Sequence, residues 1–498
     1  MTTPGDESKA QSLRRHAVQT DAWNADHETL LKSAAAHALA FRRSLQDRRQ
    51  RPEKTFAEMR ETFACDLAEA GRDGAAVIEE LVGLAEPGLS AMAGPRFFGW
   101  VIGASHPVGV AADWLTAAWG QNTGNHSATP AAAACEEVAA YWLLELLDLP
   151  RDCSVGFVTG ATIANFTCLA AARSAVLRRA GWDVEAQGLF GAPPIQVVIG
   201  DDAHTSVFSA LQFLGLGRDR VTRVPTDRAG RMRLVDAEAI LAAADGPTIV
   251  IAQAGQIVTG AFDPMTEIAA IAHRRGAWLH VDGAFGLWAR ACPDTAPLAA
   301  GCEAADSWAT DGHKWLQTPY DCGYAIVRDV EAHRLAMTIT ASYLPPVAEG
   351  ERDPSYFVPE LSRRARGFAT WAMIRALGRE GIAEMVARHC RLARRMAEAL
   401  AAEPGIAILN EIDLNQVAAR FGGGRPDERS DALTKKVIER IQADGICFAG
   451  GASWRGMWIM RLSVISWPTS EEDADRSAAA IIAAWREVRA ETPQRKSS

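Results

Sequence analysis

The feature that most constrains the fold of this chain is an alternation of short apolar runs with helical stretches between residues 154 and 327. Segments such as 165–180 and 265–276, which lie between the runs, place apolar residues at helical spacing. The alternation predicts an α/β fold with a mostly parallel sheet that helices cover on both faces. The runs are SVGFVTG (154–160), PIQVVIG (194–200), PTIVIAQ (247–253), AWLHVD (277–282) and GYAIV (323–327).

The sequence pattern changes on both sides of this region. Residues 1–95 are rich in Ala, Arg and Glu and are typical of helices. Residues 366–498 combine long helical stretches with short apolar runs near 415–421 and 457–465. We therefore predict a helical N-terminal segment over 1–95, a large α/β domain over 96–365 and a small α+β domain over 366–498.

Charge and composition exclude several functional classes. The formal net charge of −9 makes no electrostatic case for binding nucleic acid or an anionic membrane surface. No apolar run approaches the roughly 18 residues of a membrane-spanning helix, and the first residues lack the apolar core of a signal peptide. The nine cysteines are odd in number and contain no C-x-x-C pair. They predict free thiols in a reducing cytoplasm, with neither disulfides nor a metal site.

An acidic residue ends one of the predicted buried strands. Asp282 closes the run AWLHVD and is followed by Gly283 and Ala284. Ligands of open α/β sheets bind at the carboxyl ends of strands, and a carboxylate buried there needs a cation. A pyridinium nitrogen is such a cation, and the small side chain of Ala284 would let a flat ring lie close. The alternative is that Asp282 caps a loop or the next helix.

A lysine with bulky neighbours follows on the next segment. Lys314 lies between His313 and Trp315 in SWATDGHKWLQTPYDCG, which leads into the last apolar run. A lysine in such surroundings near strand ends is a candidate to form a Schiff base with an aldehyde cofactor. The alternative is a solvated surface lysine.

Two further strand-to-helix turns carry candidate ligand contacts. Gly160, Ala161 and Thr162 form a small-residue turn, where the N-terminus of the following helix favours a phosphate. His204 lies in the loop after another run and could stack on a ring. Each has a structural alternative, because most such turns bind nothing and most loop histidines are solvated.

Taken together and in this order, these features resemble the group II pyridoxal-phosphate decarboxylases, of the aromatic-L-amino-acid and glutamate decarboxylase type. The likeness extends from GPRFFGW (94–100) to MRLSVISWPTSEEDAD (460–475), and its most specific part is H-K-W followed by D-C-G. The resemblance implies the fold of PLP-dependent transferases (fold type I), pyridoxal 5'-phosphate as cofactor, and a homodimer with the active site at the subunit interface.

The resemblance also implies roles for the residues that would surround the cofactor ring. Lys314 would carry the cofactor as an imine, and Asp282 would pair with the pyridine nitrogen. Ala284 would pack on one face of the ring and His204 on the other.

The resemblance implies a second set of contacts, to the cofactor phosphate. Gly160, Ala161 and Thr162 would cradle it. His313 would lie against it, and Ser307 matches a further position near it.

One further position concerns the type of reaction. Tyr343, in ITASYLPPVAEGERD, matches the tyrosine that protonates the substrate carbon after CO2 leaves in family decarboxylases. Relatives that make aldehydes often carry Phe there or lack the histidine over the ring. The presence of both Tyr343 and His204 favours decarboxylation of an L-amino acid to the amine and CO2. Oxidative decarboxylation to an aldehyde, transamination and an inactive scaffold or binding protein remain alternatives.

The chain also departs from the family pattern. Gly255 and Gln256 stand where the family often has G-T-T, so a contact to a cofactor hydroxyl is either lost or supplied by Gln256. Asn122 and Gly124 are polar or small where aromatic-amino-acid decarboxylases tend to be apolar. A polar lining predicts a substrate with a polar group and argues against a simple aromatic side chain.

Overall fold

The structure is a computed structural model that describes residues 26–338 and 352–491. The chain divides into two compact units. One comprises Met1–Gly94 with Ala443–Gly445, and the other comprises Pro95–Gln442 with Ile446–Ser498. Tyr343 lies outside the described residues.

The first unit is helical in its described part. A capping box starts α2, because Thr55 Oγ1 accepts from the backbone N–H of Glu58 at 3.4 Å while the Glu58 carboxylate accepts from the Thr55 N–H at 2.7 Å. Its helices are α1 (26–44), α2 (Phe56–Phe63) and α3 (Gly74–Ala85).

The second unit contains a seven-stranded sheet. Its strands are β1 (Ser154–Val158), β2 (Gln196–Gly200), β3 (Val221–Val224), β4 (Thr248–Gln253), β5 (Trp278–Asp282), β6 (Ser307–Asp311) and β7 (Gly323–Val327). Their order across the sheet is β1-β7-β6-β5-β4-β2-β3. The strand β7 is antiparallel to both of its neighbours, whereas all other neighbouring strands are parallel. The predicted α/β fold with a mostly parallel sheet is therefore confirmed.

The apolar runs are continuous because the sheet is buried on both faces. In β4, Ile249 and Ile251 belong to one apolar cluster, whereas Val250 and Ala252 belong to another. Successive side chains of a strand point to opposite faces, so a strand covered on both sides needs an apolar residue at each position.

Helices cover this sheet and build the rest of the unit. The long helix α12 is interrupted at Gly378, whose φ of 62° is left-handed. The helices are α4 (Pro107–Trp119), α5 (Pro130–Leu146), α6 (Ala161–Arg179), α7 (Val184–Gln187), α8 (Thr205–Phe213), α9 (Leu234–Ala243), α10 (Met265–Arg274), α11 (Val330–Met337), α12 (Arg366–Ala401), α13 (Glu428–Asp444) and α14 (Glu471–Glu491). No helix in the described ranges has the length and apolar character needed to cross a membrane.

A smaller antiparallel sheet follows in the sequence. Its strands are β8 (Ile406–Ile408), β9 (Gln416–Phe421), β10 (Gly450–Trp454) and β11 (Met457–Ser463), in the order β10-β11-β9-β8. Leu392, Val437 and Ile481, from α12, α13 and α14, share one apolar cluster with Val417 and Leu462 of the sheet. The predicted small α+β part is thus present. The boundaries at residues 95 and 365 stay a prediction.

Candidate active site

Polar residues collect at one edge of the large sheet, where its parallel strands end. Asp282 and Asp311 are the last residues of the neighbouring strands β5 and β6. Gln253 ends β4, Gly160 follows β1, and His204 follows β2 just before α8. This edge is where open α/β sheets bind their ligands.

A small cavity opens at this edge. The structure brings together four of the predicted cofactor contacts, because His204, Asp282, Ala284 and Lys314 all line the cavity. The other residues that line it are Val101, Gln253, Gly255, Ile257 and Phe285.

Only one of the two carboxylate oxygens of Asp282 is hydrogen-bonded within the described residues. The residue is 3% exposed, and Oδ1 accepts a hydrogen bond from the backbone N–H of Ala284 at 3.2 Å. Oδ2 is buried and has no hydrogen-bond partner among the residues that the structure describes. Burial raises the pKa of Asp282. A protonated pyridine nitrogen would supply both the missing hydrogen bond and the missing positive charge, so the residues present fit pyridoxal phosphate.

His204 is held in one orientation by the start of α8. Its Nδ1 accepts from the backbone N–H of Ser206 at 3.2 Å and lies 2.8 Å from the Ser206 hydroxyl. Because a backbone N–H can only donate, the proton of the neutral ring is on Nε2. Burial lowers the pKa of His204, although the nearby charge of Asp282 opposes this shift. The neutral imidazole is therefore favoured.

The predicted phosphate contacts lie at the N-terminus of α6. Gly160 precedes this helix, and no side chain in the described part of the chain caps its first turn. His313 is adjacent, because a Cβ atom at position 160 would lie 3.0 Å from Cε1 of His313. Burial lowers the pKa of His313. The first turn, which contains Ala161 and Thr162, therefore offers uncapped backbone N–H groups beside a largely uncharged imidazole.

Ser307 is not part of this group, which corrects the expectation for this residue. It begins β6, whereas Asp311 ends the strand at the cavity. Its hydroxyl accepts a hydrogen bond from Nε1 of Trp278 and lies 2.9 Å from Nδ1 of His280. The Ser307 hydroxyl is thus used inside the sheet, away from the N-terminus of α6.

Two charged residues near the cavity were missed by the sequence analysis. Asp311 Oδ2 lies 2.8 Å from Nζ of Lys314. The sequence contained a sign of this residue, because Asp311 ends a buried strand as Asp282 does. The other residue is Arg461 on β11, which donates from Nη2 to the carbonyl of Ile257 at 2.6 Å. Burial lowers the pKa of Arg461 to about 10, and its charge acts on His204. Nothing in the local sequence distinguished this arginine.

The departures from the family pattern have local structural roles. Gln256 Oε1 accepts from the backbone N–H groups of Val258 and Thr259, at 2.5 and 3.0 Å. Both of these hydrogen bonds lie within the loop that carries Gln256. Asn122 Oδ1 accepts from the backbone N–H of Arg363 at 2.9 Å.

Comparison with known proteins gives a consistent result. A family model described as the pyridoxal-dependent decarboxylase conserved domain matches residues 57–421. Tryptophan decarboxylase 1 of Oryza sativa subsp. japonica is 28% identical over 434 residues, which cover 81% of this chain and 83% of that protein. The 4-hydroxyphenylacetaldehyde synthase of Rhodiola rosea is 26% identical over 407 residues, covering 78% and 80%.

A solved structure shows the same fold. The crystal structure of Oryza sativa TDC with PLP and tryptamine superposes with a TM-score of 0.86 at 22% identity. The match covers 93% of this chain and 98% of that one.

Proposed function

The chain belongs to the pyridoxal-dependent decarboxylase family, and from this premise we propose that it removes CO2 from an L-amino acid and releases the corresponding amine. The observation that carries the proposal is the cavity at the sheet edge. There, one carboxylate oxygen of Asp282 is buried and has no hydrogen-bond partner within residues 26–338 and 352–491. Asp282 shares one small space with Lys314 and His204.

In this proposal the chain itself supplies contacts for pyridoxal 5'-phosphate. Lys314 supplies the amine that binds the cofactor aldehyde, and the N-terminus of α6 with His313 receives the phosphate. Ala284 and His204, which line the same cavity, would pack against the two faces of the ring. When bound, the cofactor supplies an electron sink for the electron pair that remains after CO2 departs.

Asp282 keeps a proton on the ring nitrogen in this proposal. Its Oδ2 faces no other donor in the described chain, and its burial strengthens the attraction to a cation. The favoured state is therefore a carboxylate paired with a pyridinium.

Arg461 and His204 orient the substrate in this proposal. The charge of Arg461 acts on His204, and its guanidinium contacts the carbonyl of Ile257, a residue that lines the cavity. Its Nε has no hydrogen-bond partner within the described residues. We propose that Arg461 attracts the substrate carboxylate while the Nε2–H of His204 donates a hydrogen bond to the substrate.

Tyr343 delivers the proton that replaces CO2 in this proposal. The support is the match of ITASYLPPVAEGERD to the family loop, together with the retention of His204. A phenol is a suitable general acid when water is excluded around it.

A second copy of the chain completes the site in this proposal. Helices α4, α5 and α12 carry large side chains that remain exposed, among them Trp119 at 51%, Tyr141 at 51% and Trp371 at 37%. Helix α12 packs against both α4 and α5, and a contiguous exposed apolar patch is typical of a protein–protein contact. We expect Trp119→Lys to convert a dimer to a monomer in sedimentation velocity, with Phe190→Lys as the matched exposed control. The cytoplasmic location and the lack of nucleic-acid and membrane partners also stay predictions.

Aldehyde synthesis is the second candidate, because one of the relatives is a 4-hydroxyphenylacetaldehyde synthase. The two reactions differ in what they consume and release. Plain decarboxylation gives amine and CO2 in equal amounts without oxygen uptake, whereas oxidative decarboxylation consumes oxygen.

One experiment tests the proposed function and separates the two candidates. The purified protein with cofactor is screened against the L-amino acids for release of CO2, amine and aldehyde, with an oxygen electrode in parallel. Lys314→Ala should lose both turnover and the visible absorbance of the lysine-bound cofactor. Lys436→Ala, at an exposed position of α13, should keep both. Full turnover by the Lys314 variant would exclude the proposed site.

A further inference from the structure

A two-residue turn joins the strands β10 and β11 and carries a charged side chain. Trp454 pairs with Met457, so the turn consists of Arg455 and Gly456. Their φ angles are 49° and 74°. Turns with two left-handed residues favour Asn, Asp or Gly at the first position, and an arginine there costs backbone free energy. An unfavourable backbone conformation of this kind is often found where a side chain has a specific role.

The guanidinium of Arg455 contacts two loops of the large sheet. Its Nη2 donates to Oδ2 of Asp202 at 2.6 Å and to the hydroxyl of Thr226 at 2.9 Å. It also donates to the backbone carbonyl of Asp227. The Thr226 hydroxyl donates to the same oxygen of Asp202. Arg455 thereby joins the turn of the small sheet to the loops that follow β2 and β3.

The indole of Trp454 packs at the same place. The guanidinium carbon of Arg455 lies 4.8 Å from the centre of the indole ring, and Trp454 is 7% exposed. A Cβ atom at Gly230 would lie 3.0 Å from Cη2 of Trp454 and 3.6 Å from Cβ of Asp202. Because position 230 has no side chain, the indole and Asp202 both lie close to its backbone. The turn is therefore packed against the large sheet as well as hydrogen-bonded to it.

The two segments that Arg455 joins carry the two residues that orient the substrate in the proposed function. Asp202 lies in the short loop 201–204, which ends with His204. Arg461 lies on β11, the strand that begins after the turn. His204 and Arg461 are far apart in the chain, so their relative position depends on what holds the loop to the turn. A displacement of about 1 Å in a group that positions a substrate can cost about a hundredfold in rate.

We propose that Arg455 is a positioning residue. By holding the carboxylate of Asp202, it fixes the loop of His204 relative to the strand that carries Arg461. The inference rests on the proposed function, in which His204 and Arg461 both contact the substrate. Arg455 lines a groove separate from the cavity beside Lys314, so it acts through these two residues. Its side chain is 36% exposed, and ion pairs at such positions contribute little to stability, so its loss should affect catalysis more than folding.

Arg455→Asn separates these two effects, because asparagine favours the conformation of the turn but is too short to reach Asp202. The variant with bound cofactor should unfold at the wild-type denaturant concentration or above it. Its kcat/KM for the best amino acid of the screen should fall about tenfold. Arg228→Asn, at an exposed arginine of the same groove, is the matched control and should change neither quantity. Wild-type kcat/KM in Arg455→Asn, or a loss of activity matched by a loss of stability, would overturn the positioning role.

A double-mutant cycle tests whether Asp202 is the partner. Asp202→Asn keeps an acceptor for the Thr226 hydroxyl but loses the charge, and its kcat/KM should also fall about tenfold. The double variant Arg455→Asn/Asp202→Asn should be no less active than either single variant. A fall of about a hundredfold in the double variant would show that the two side chains act independently, which contradicts the proposal.

The visible circular dichroism of bound pyridoxal 5'-phosphate gives a readout that needs no substrate. Because His204 packs against the ring in the proposed function, a displaced loop should change the band in Arg455→Asn and Asp202→Asn but not in Arg228→Asn. If the wild type decarboxylates an amino acid and all these spectra are identical, the proposed function stands and the role of Arg455 is wrong. If the wild type lacks the absorbance of the lysine-bound cofactor, the proposed function fails and the inference fails with it.

Discussion

The indole N–H of Trp315 donates a hydrogen bond to Nδ1 of His389 at 3.0 Å. Trp315 is the residue that follows Lys314 in the chain. The other ring nitrogen of His389, Nε2, lies 3.0 Å from the carbonyl oxygen of Ser466 and donates to it. Both nitrogens are therefore occupied when the imidazole is neutral, and the ring ties the segment that carries Lys314 to α12.

We predict that acid weakens the fold through this histidine. Burial lowers the pKa of His389 to about 3, whereas the unfolded chain titrates near 6.5. Between these values the unfolded state binds more protons, so the free energy of unfolding falls as the pH falls below about 6.5. The loss is about 1.4 kcal/mol per pH unit for such a group.

His389→Gln isolates this contribution, because an amide can accept from Trp315 and donate to Ser466 without titrating. Denaturant unfolding at pH 5 and pH 7 should give a smaller difference in the variant than in the wild type. His280 and His333 have the same lowered pKa and remain in both proteins. An equal pH dependence in the two proteins would show that His389 is not the titrating group.

Asp282→Asn should lower kcat by roughly a hundredfold or more, because a neutral amide does not hold a proton on the ring nitrogen. The cofactor content should change little, since Lys314 and the N-terminus of α6 are untouched. Turnover and cofactor absorbance of the same preparation check both statements. Asp201→Asn, at an exposed position before His204, is the matched control and should behave as the wild type.

Arg461→Met should raise KM for the amino acid about tenfold or more, the range expected for loss of one charge-assisted hydrogen bond. The cofactor spectrum should be unchanged. Steady-state kinetics on the best substrate of the screen give KM and kcat separately. Arg476→Met removes an exposed arginine of α14 and serves as control. A fall in kcat with an unchanged KM would remove Arg461 from substrate binding.

Tyr343→Phe should reduce amine formation and divert part of the substrate to aldehyde with uptake of oxygen, because the general acid is missing when CO2 has left. Product analysis by mass spectrometry together with an oxygen electrode measures the ratio. Tyr356→Phe, at a half-buried tyrosine of the described chain, should leave the ratio as it is. An unaltered product profile in the Tyr343 variant would assign the proton to another donor.

Much of the fold could be predicted from local patterns. The runs that became β1, β2, β4, β5 and β7 are continuous apolar segments because each strand is buried on both faces, and this requirement is visible in the sequence itself. Asp282 and Lys314 could be recognised for a related reason. A charged side chain at the end of a buried strand, or between bulky neighbours, is costly unless a partner meets it.

Other relationships required the tertiary structure, because they depend on which strands become neighbours and in what register. The pairing of β5 with β6 places Ser307 opposite His280, so the hydroxyl bonds inside the sheet and does not reach the N-terminus of α6. The same pairing continues past the end of β5, where the backbone N–H of Asp311 donates to the carbonyl of Ala284 at 3.0 Å. Arg461 reaches the region of His204 only because β11 lies beside the loop of Ile257. The sequence by itself determined the buried strands and the residues that needed a partner. Only the packing of distant segments decided which partners they received, because contacts between residues far apart in the chain leave no local periodicity.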